Sequence, residues 1–492
     1  MIDTRRAARA GLLAIAVLGG ASVAASTAHA GLTPSQIHVA YGLPRTSTVA
    51  QTIAVVVAYD APTAAQDLRA FTARFGIPAC STTDGCLRKV NQRGEPAPLP
   101  GPDPTGGRWV SEAALGVQTA RGVCQNCRIL LVEADSDGRA ELAAAVATAV
   151  RLGATEVATA YLQSDEDAGR DAYDHPGVAI TAATGDNGYF DGANYPASLP
   201  GVVAVGGTRL TLGAGGRYRG ETVWNDGPRE ITTSGCTIFS RAPRWQVAEA
   251  ASVGCGRQRS VADVAAVAAP GAEIYTSTKV FGLDGWIEAG GTSFASPLVA
   301  GVFALAGGVP AGTSAPALLY ANFRARAGEL HDVTRGSNGP CQKPLCRART
   351  GYDGPTGIGT PNGLGAFRAA PVGRLDARRP RVTVSPKRGT VRVSSRGDVR
   401  LSLRNENRFA VTVSARLRTG SVNVARSRTS VSVPARSGRS AVLRLSSAGR
   451  ALIERRGRAK VTVTLAVRDG GGHRATVVHQ LVVRDSIGTV AP

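Results

Sequence analysis

The chain has 492 residues, 43% of them hydrophobic, with 60 glycines and a formal charge of +21. That length supports one large core or two unequal ones, and the composition excludes a disordered or fibrous chain. From Arg374 onward there are 26 Arg and Lys against 6 Asp and Glu, so nearly all the excess charge lies in the last quarter, as expected of a separate module.

Residues 1–30 read as a signal peptide. Arg5, Arg6 and Arg9 precede an apolar stretch from Gly11 to Val23, and Ala28-His29-Ala30 forms a small-x-small cleavage pattern. The apolar run is shorter than the ~20 residues of a membrane span. No later run is long enough, so the mature chain is expected to begin near Gly31, to carry no membrane span, and to be secreted and extracellular. Eight cysteines form four close pairs, Cys80 with Cys86, Cys124 with Cys127, Cys236 with Cys255 and Cys341 with Cys346. In an exported chain these are expected as local disulfides. A redox or zinc reading of Cys124-Gln-Asn-Cys127 lacks the second CxxC or nearby His that would complete a metal set.

Apolar runs at Thr52–Ala58, Ile129–Glu133, Thr155–Thr159, Val178–Ala183 and Val202–Val205 predict buried strands. Asp67–Phe75, Ser111–Gly122 and Ala140–Leu152 predict helices between them. The alternation predicts an α/β fold with a doubly wound, mostly parallel sheet. After Arg379 the pattern changes to period two, as in Val461-Thr-Val-Thr-Leu465, broken only by a helical turn at Ala448–Arg455. About eight short strands there predict a small all-β sandwich. The expected organisation is a signal peptide over 1–30, a first domain over 31–372, a linker over 373–380 and a basic, Ig-like β-sandwich over 381–492. The sandwich arginines occupy many outward positions, either as a solvated face or as a surface for an anionic cell-envelope polymer. Nucleic acid is not expected as a partner, since aromatics that would stack bases are scarce there.

The most informative segment is Gly290-Gly-Thr-Ser-Phe-Ala-Ser-Pro-Leu-Val-Ala-Gly301. Ser293 follows a tight Gly-Gly turn and opens an apolar helix, whose free N–H groups and dipole favour an oxyanion beside an attacking oxygen. A simple helix cap is the alternative. Subtilisins and sedolisins share this Gly-Thr-Ser-x-x-x-Pro arrangement. A subtilisin needs a histidine base, and none of His38, His175, His331, His473 and His479 has the His-Gly-Thr-His context.

Other segments resemble the sedolisins, the serine-carboxyl peptidases. They include Leu32-Thr-Pro-Ser-Gln-Ile-His-Val-Ala-Tyr41, Ile53-Ala-Val-Val-Val-Ala-Tyr-Asp60, Ala183-Thr-Gly-Asp-Asn-Gly188, Tyr195-Pro-Ala-Ser198, Val205-Gly-Gly-Thr208 and Glu221-Thr-Val-Trp-Asn225, in the expected order. The resemblance covers roughly Gly31 to Ala370. It implies a subtilisin-like fold and an endopeptidase that cleaves polypeptides through an acyl-enzyme on Ser293. Glu112 then matches the general base and Asp186 the oxyanion donor. A carboxylate base and a protonated Asp donor favour acid pH.

Three features depart from the family pattern. A second carboxylate is expected four residues after the glutamate, on the same helix face; here that position is Gly116. Asp60, at the end of the first strand, is the candidate for a substitute. The substrate-holding Ser-Trp-Gly-Gly strand is replaced by Ala160-Tyr161-Leu162-Gln163, where Tyr161 is expected to keep the aromatic wall and the bulk of Leu162 and Gln163 to crowd the groove. The family's propeptide is expected to be missing between signal and domain. These departures leave an alternative, an impaired or inactive homologue that binds peptide or envelope components.

His331-Asp-Val-Thr-Arg-Gly336 and Gly351-Tyr-Asp-Gly-Pro-Thr-Gly-Ile-Gly-Thr-Pro361 resemble the calcium-binding end of the family. The resemblance implies one structural calcium ion held by the carboxylates of Asp332 and Asp353 and the carbonyls of Val333, Arg349 and Gly351. Hard oxygen donors suit that ion; a loop stabilised by Asx-turns is the alternative.

Overall fold

The computed structural model describes residues 31–369 and 382–485, apart from 167–168, 190–191, 281, 326–327, 387–388, 408–410, 426–428, 435–436 and 470–473. The expected signal peptide and linker lie outside the described residues. The chain forms two compact units that divide between Phe367 and Arg368.

The first unit is built on an eight-stranded sheet. Its strands are β1 (Thr52–Ala58), β2 (Leu87–Asn91), β3 (Arg128–Ala134), β4 (Glu156–Thr159), β5 (Ala179–Ala183), β6 (Val203–Leu212), β7 (Tyr218–Val223) and β8 (Val264–Ala269). The order is β8-β6-β5-β4-β1-β3-β2, all parallel, with β7 antiparallel to β6. The helices are α1 (Pro34–Tyr41), α2 (Ala64–Phe75), α3 (Arg108–Val123), α4 (Arg139–Arg151), α5 (Val247–Val253) and α6 (Thr292–Leu305), followed by α7 (Ala315–Ala325).

The central strand β1 explains the layering. Successive side chains of a strand point to opposite faces. Val55 and Val57 enter the core shared with α2, α3 and α6, while Ala54 and Val56 enter the core shared with α4. Burial on both faces accounts for an uninterrupted apolar run without polar alternation. Helix α6 is apolar on all sides and buried beyond its first turn, against α3, β4, β5 and β8, as an all-round hydrophobic helix must be.

Several elements escaped the sequence reading, β2, β7, β8 and α7 among them. Strand β2 is a sheet edge whose Leu87-Arg-Lys-Val-Asn91 lacks a clear period. An antiparallel hairpin of Ala272–Val280 with Leu283–Ala289 leads directly into the Gly290-Gly291 turn. The four expected cysteine pairs are closed as disulfides.

The second unit is a β-sandwich. Val382–Ser385, Asp398–Asn405 and Gly438–Arg444 form one sheet. The other contains Thr390–Arg392, Val411–Thr419, Val422–Asn423, Thr429–Val433, Arg458–Asp469 and Arg474–Arg484. Inward residues such as Val399, Leu401, Val413, Val463 and Leu465 share one core, and helix Ser447–Arg456 falls where a helical turn is expected. Among the described residues no helix is long and apolar enough to cross a membrane.

Candidate active site

A cleft of about 620 Å³ opens where β4 and β5 end, lined among others by Arg108, Glu112, Tyr161, Asp186, Arg229 and Ser293. The carboxyl ends of parallel strands are where such folds place their ligands. Helices α3 and α6 cross there, so Glu112 and Ser293, far apart in sequence, face each other.

Ser293 lies in the first turn of α6. The turn before it requires glycine: Gly291 has φ +83°, and a Cβ on it would meet Asp186 Oδ2 at 2.4 Å. Asp186, just beyond β5, accepts hydrogen bonds on Oδ1 from the Thr292 amide at 2.9 Å and the Thr292 hydroxyl at 2.6 Å. These bonds fix the carboxyl against the helix N-terminus and leave Oδ2 to carry a proton. Burial raises the Asp186 pKa, opposed by the bonds from Thr292 and by the nearby Arg108 charge. Among the described residues the Ser293 amide makes no hydrogen bond within the chain, as is normal for a first-turn N–H.

The Ser293 hydroxyl donates to Glu112 Oε1 at 3.2 Å and lies 3.5 Å from the Ala160 carbonyl. Helix α3 starts beside Asp103, whose Oδ2 accepts the Trp109 amide at 2.8 Å and the Val110 amide at 3.4 Å. Burial pushes the Glu112 pKa to about 7, against the hydrogen bond from Ser293, while the nearby Asp186 adds to the rise and Arg108 opposes it. The other oxygen, Oε2, is shielded from solvent and has no hydrogen-bond partner among the described residues.

Position 116 shows why. A Cβ on Gly116 would meet Val55 Cγ1 at 2.7 Å, closer than side chains pack. Val55 therefore fills the space on the α3 face where a carboxylate four residues after Glu112 would stand. Asp60 does not substitute for it. Its carboxylate is paired with Lys89, which also binds the buried Glu133 at 3.2 Å.

At the rim, Tyr161 lines the cleft with its ring tilted toward Trp109 and its hydroxyl 2.8 Å from that of Tyr173. Gln163 is taken up by structure. Its amide and carbonyl both pair with Tyr195 at 3.0 Å, and its side chain binds Arg139 and the Asp137 carbonyl. Leu162 occupies the cleft wall close to Gly185. Among the described residues no hydrogen bond reaches the main chain of Tyr161 or Leu162, so both offer free peptide groups to an extended peptide.

The loops expected to hold calcium converge away from this cleft. Asp353 is buried and accepts the Thr356 amide and hydroxyl on one oxygen and the Arg349 amide on the other. Asp332 accepts the Gly351 amide at 3.0 Å. Burial, with Asp332 nearby, pushes the Asp353 pKa to about 7. Among the described residues the carbonyls of Val333, Arg349 and Gly351 accept no main-chain hydrogen bond, and no group of three His, Cys, Asp or Glu side chains converges anywhere. The donors are thus two carboxylates and carbonyls with free lone pairs, an all-oxygen set that fits calcium.

Comparison with known proteins follows the same lines. Residues 109–314 match the model of the subtilase family. Kumamolisin from Bacillus sp. (strain MN-32) is 37% identical over 211 residues, 39% of this chain and 36% of that protein. Sedolisin from Pseudomonas sp. (strain 101) is 27% identical over 377 residues, 69% of this chain and 61% of that protein. The chain thus spans between about a third and three-fifths of these curated relatives. Among solved structures, Pseudomonas sedolisin, described as a serine-carboxyl proteinase complexed with two molecules of pseudo-iodotyrostatin, superposes with a TM-score of 0.56 at 26% identity, over 68% of this chain and 95% of that one. The first unit is a subtilisin-like domain with a serine, a glutamate and an aspartate gathered at the carboxyl end of its sheet. It is homologous to the sedolisins.

The site also contains residues that sequence reasoning did not single out. Arg108 precedes Glu112 by four residues and so shares its helix face, a spacing that could have flagged it. Val55 and Arg229 carry no local signal; only tertiary packing brings them in.

Proposed function

We propose that the chain is a secreted, sedolisin-like serine endopeptidase that hydrolyses polypeptides through an acyl-enzyme on Ser293. The observation that carries this reading is the hydrogen bond from the Ser293 hydroxyl to Glu112 beside the fixed carboxyl of Asp186. Glu112 takes the serine proton as Oγ attacks the scissile carbonyl, then returns it to the leaving amine. The oxyanion receives the free Ser293 amide and a proton-bearing Asp186. The productive state needs Glu112 ionised and Asp186 protonated, so the rate follows a bell in pH whose limbs belong to the pair. Burial raises both groups, which moves the optimum into mildly acid solution, between the ordinary carboxylate range and about 7. A structural calcium ion at Asp332, Asp353 and the three neighbouring carbonyls would tie the two loops together. The basic second unit would attach the enzyme to an anionic cell-envelope surface.

A second reading, an impaired homologue that still binds peptide, is favoured by one observation: Glu112 Oε2 is buried without a partner. Strongly coupled catalytic groups lose orders of magnitude when one is removed. Incubating the purified mature protein with denatured proteins from about pH 3 to pH 7 separates the two. Cleavage that disappears in Ser293→Ala supports the peptidase; no cleavage at any pH supports the impaired form.

A further inference from the structure

We infer that the cleft selects peptides carrying a carboxylate side chain next to the scissile bond, through Arg108 and Arg229. This rests on the peptidase reading for its location, though not for its charge argument. Both arginines line the same cleft as Glu112, Asp186 and Ser293. Both are exposed, and among the described residues neither makes a hydrogen bond or an ion pair. Some other arginines of this unit are engaged, among them Arg139 with Glu166 and Gln163, Arg209 with Asp226, and Arg259 with Asp263.

The two guanidiniums sit on different elements. Arg108 opens α3, one turn before Glu112, and its charge is felt by both Glu112 and Asp186. Arg229 sits between the short strands Asn225–Gly227 and Glu230–Ile231, with φ +67°, a left-handed conformation that non-glycine residues avoid. That conformation is observed at the one arginine of this hairpin, beside the cleft. The negative groups facing them are few. Asp137 lines the same cleft and accepts the Tyr59 hydroxyl at 3.2 Å. Glu112 and Asp186 are the others; burial disfavours their charged forms, and of the two only Glu112 is ionised in the productive state. A guanidinium presents a planar fork that pairs with a carboxylate through two parallel hydrogen bonds. A peptide bound along Tyr161 and Leu162 would therefore bring an Asp or Glu side chain to two guanidiniums that make no hydrogen bond or ion pair among the described residues.

The test uses the full mature chain and two pools of short peptides, identical except that one carries Asp and Glu where the other carries Asn and Gln. Binding is measured at low salt to Ser293→Ala and to the same variant with Arg108→Gln and Arg229→Gln added. The difference between the two proteins cancels any attraction from the basic second unit. The acidic pool is expected to bind Ser293→Ala about tenfold more tightly than the neutral pool beyond what the triple variant retains. The unmutated chain is expected to cut beside Asp or Glu. Equal differential binding of the pools, or an acidic preference that survives both arginine substitutions, overturns the inference. If the unmutated chain cuts nothing while Ser293→Ala still selects the acidic pool through the arginines, the hydrolase reading fails and the acidic preference stands. Both arginines are exposed, and an unchanged melting temperature of the triple variant verifies that folding is intact.

Discussion

Restoring a carboxylate at position 116 will not by itself restore a relay, because Val55 holds the space. A Cβ at Gly116 comes within 2.7 Å of Val55 Cγ1, and Val55 is 4% exposed on the central strand with no room to withdraw. Forcing atoms into a packed core costs about 1–3 kcal/mol, and an unpaired buried carboxyl adds to that. The gain from replacing a helix-interior glycine, at most about 1 kcal/mol, does not offset it. Val55→Ala alone removes two buried methyl groups, with a loss of about 1.5–3 kcal/mol. Combined, the changes should be non-additive in the favourable direction, since the new carboxyl fills the cavity and reaches Glu112 Oε2. Denaturant titration should show Gly116→Asp less stable than the parent, and the double variant more stable than the sum of the single losses. In hydrolysis assays the double variant should exceed the parent by about tenfold or more, with Gly116→Asp alone gaining nothing. A fully stable Gly116→Asp with raised activity would refute the steric argument.

Three further outcomes follow from the geometry. Gly291→Ala combines an unfavourable φ with a Cβ 2.4 Å from Asp186 Oδ2; it should cost about 1–3 kcal/mol in denaturant titration and abolish hydrolysis by displacing Asp186. Calcium at 100 times its dissociation constant should stabilise the folded chain by about 2.7 kcal/mol, so a chelator should lower the melting temperature of the parent but not of Asp353→Asn. Glu156 is buried beside Thr155, and burial raises its pKa from 4.5 to about 8. The folded state then binds the extra proton, so stability is highest below about pH 4.5, falls as pH rises toward about 8, and is flat beyond. Stability against pH for Glu156→Gln should lack that component of the slope.

The parts legible in the sequence are those with a local signal. The valine run at 52–58 gives β1 with the bounds it has in the structure, because a strand buried on both faces needs every residue apolar. The Gly-Gly-Thr-Ser turn marks a helix N-terminus, and the order of matched segments carries the fold. Gly116 is visible as a missing acid, yet its consequence is not. Val55 lies 61 residues earlier in sequence and meets α3 only through packing. Asp60 looks available from its place after the strand, but Lys89 comes from an edge strand that the sequence pattern does not reveal. Gln163 is predicted to crowd the groove. It does line the cleft, and it also pairs with Tyr195, which closes the main chain there and leaves Tyr161 and Leu162 without main-chain partners among the described residues.

The most direct measurement is on Ser293 itself. The mature protein is mixed with a denatured polypeptide in mildly acid solution, quenched in stronger acid within the first turnover, digested and weighed. The account predicts a peptide containing Ser293 that carries the mass of an acyl fragment of the substrate, absent in Ser293→Ala and strongly reduced in Glu112→Gln. Cleavage at parental rate by Ser293→Ala, or turnover with no acyl adduct on that peptide under any quench time, would contradict it.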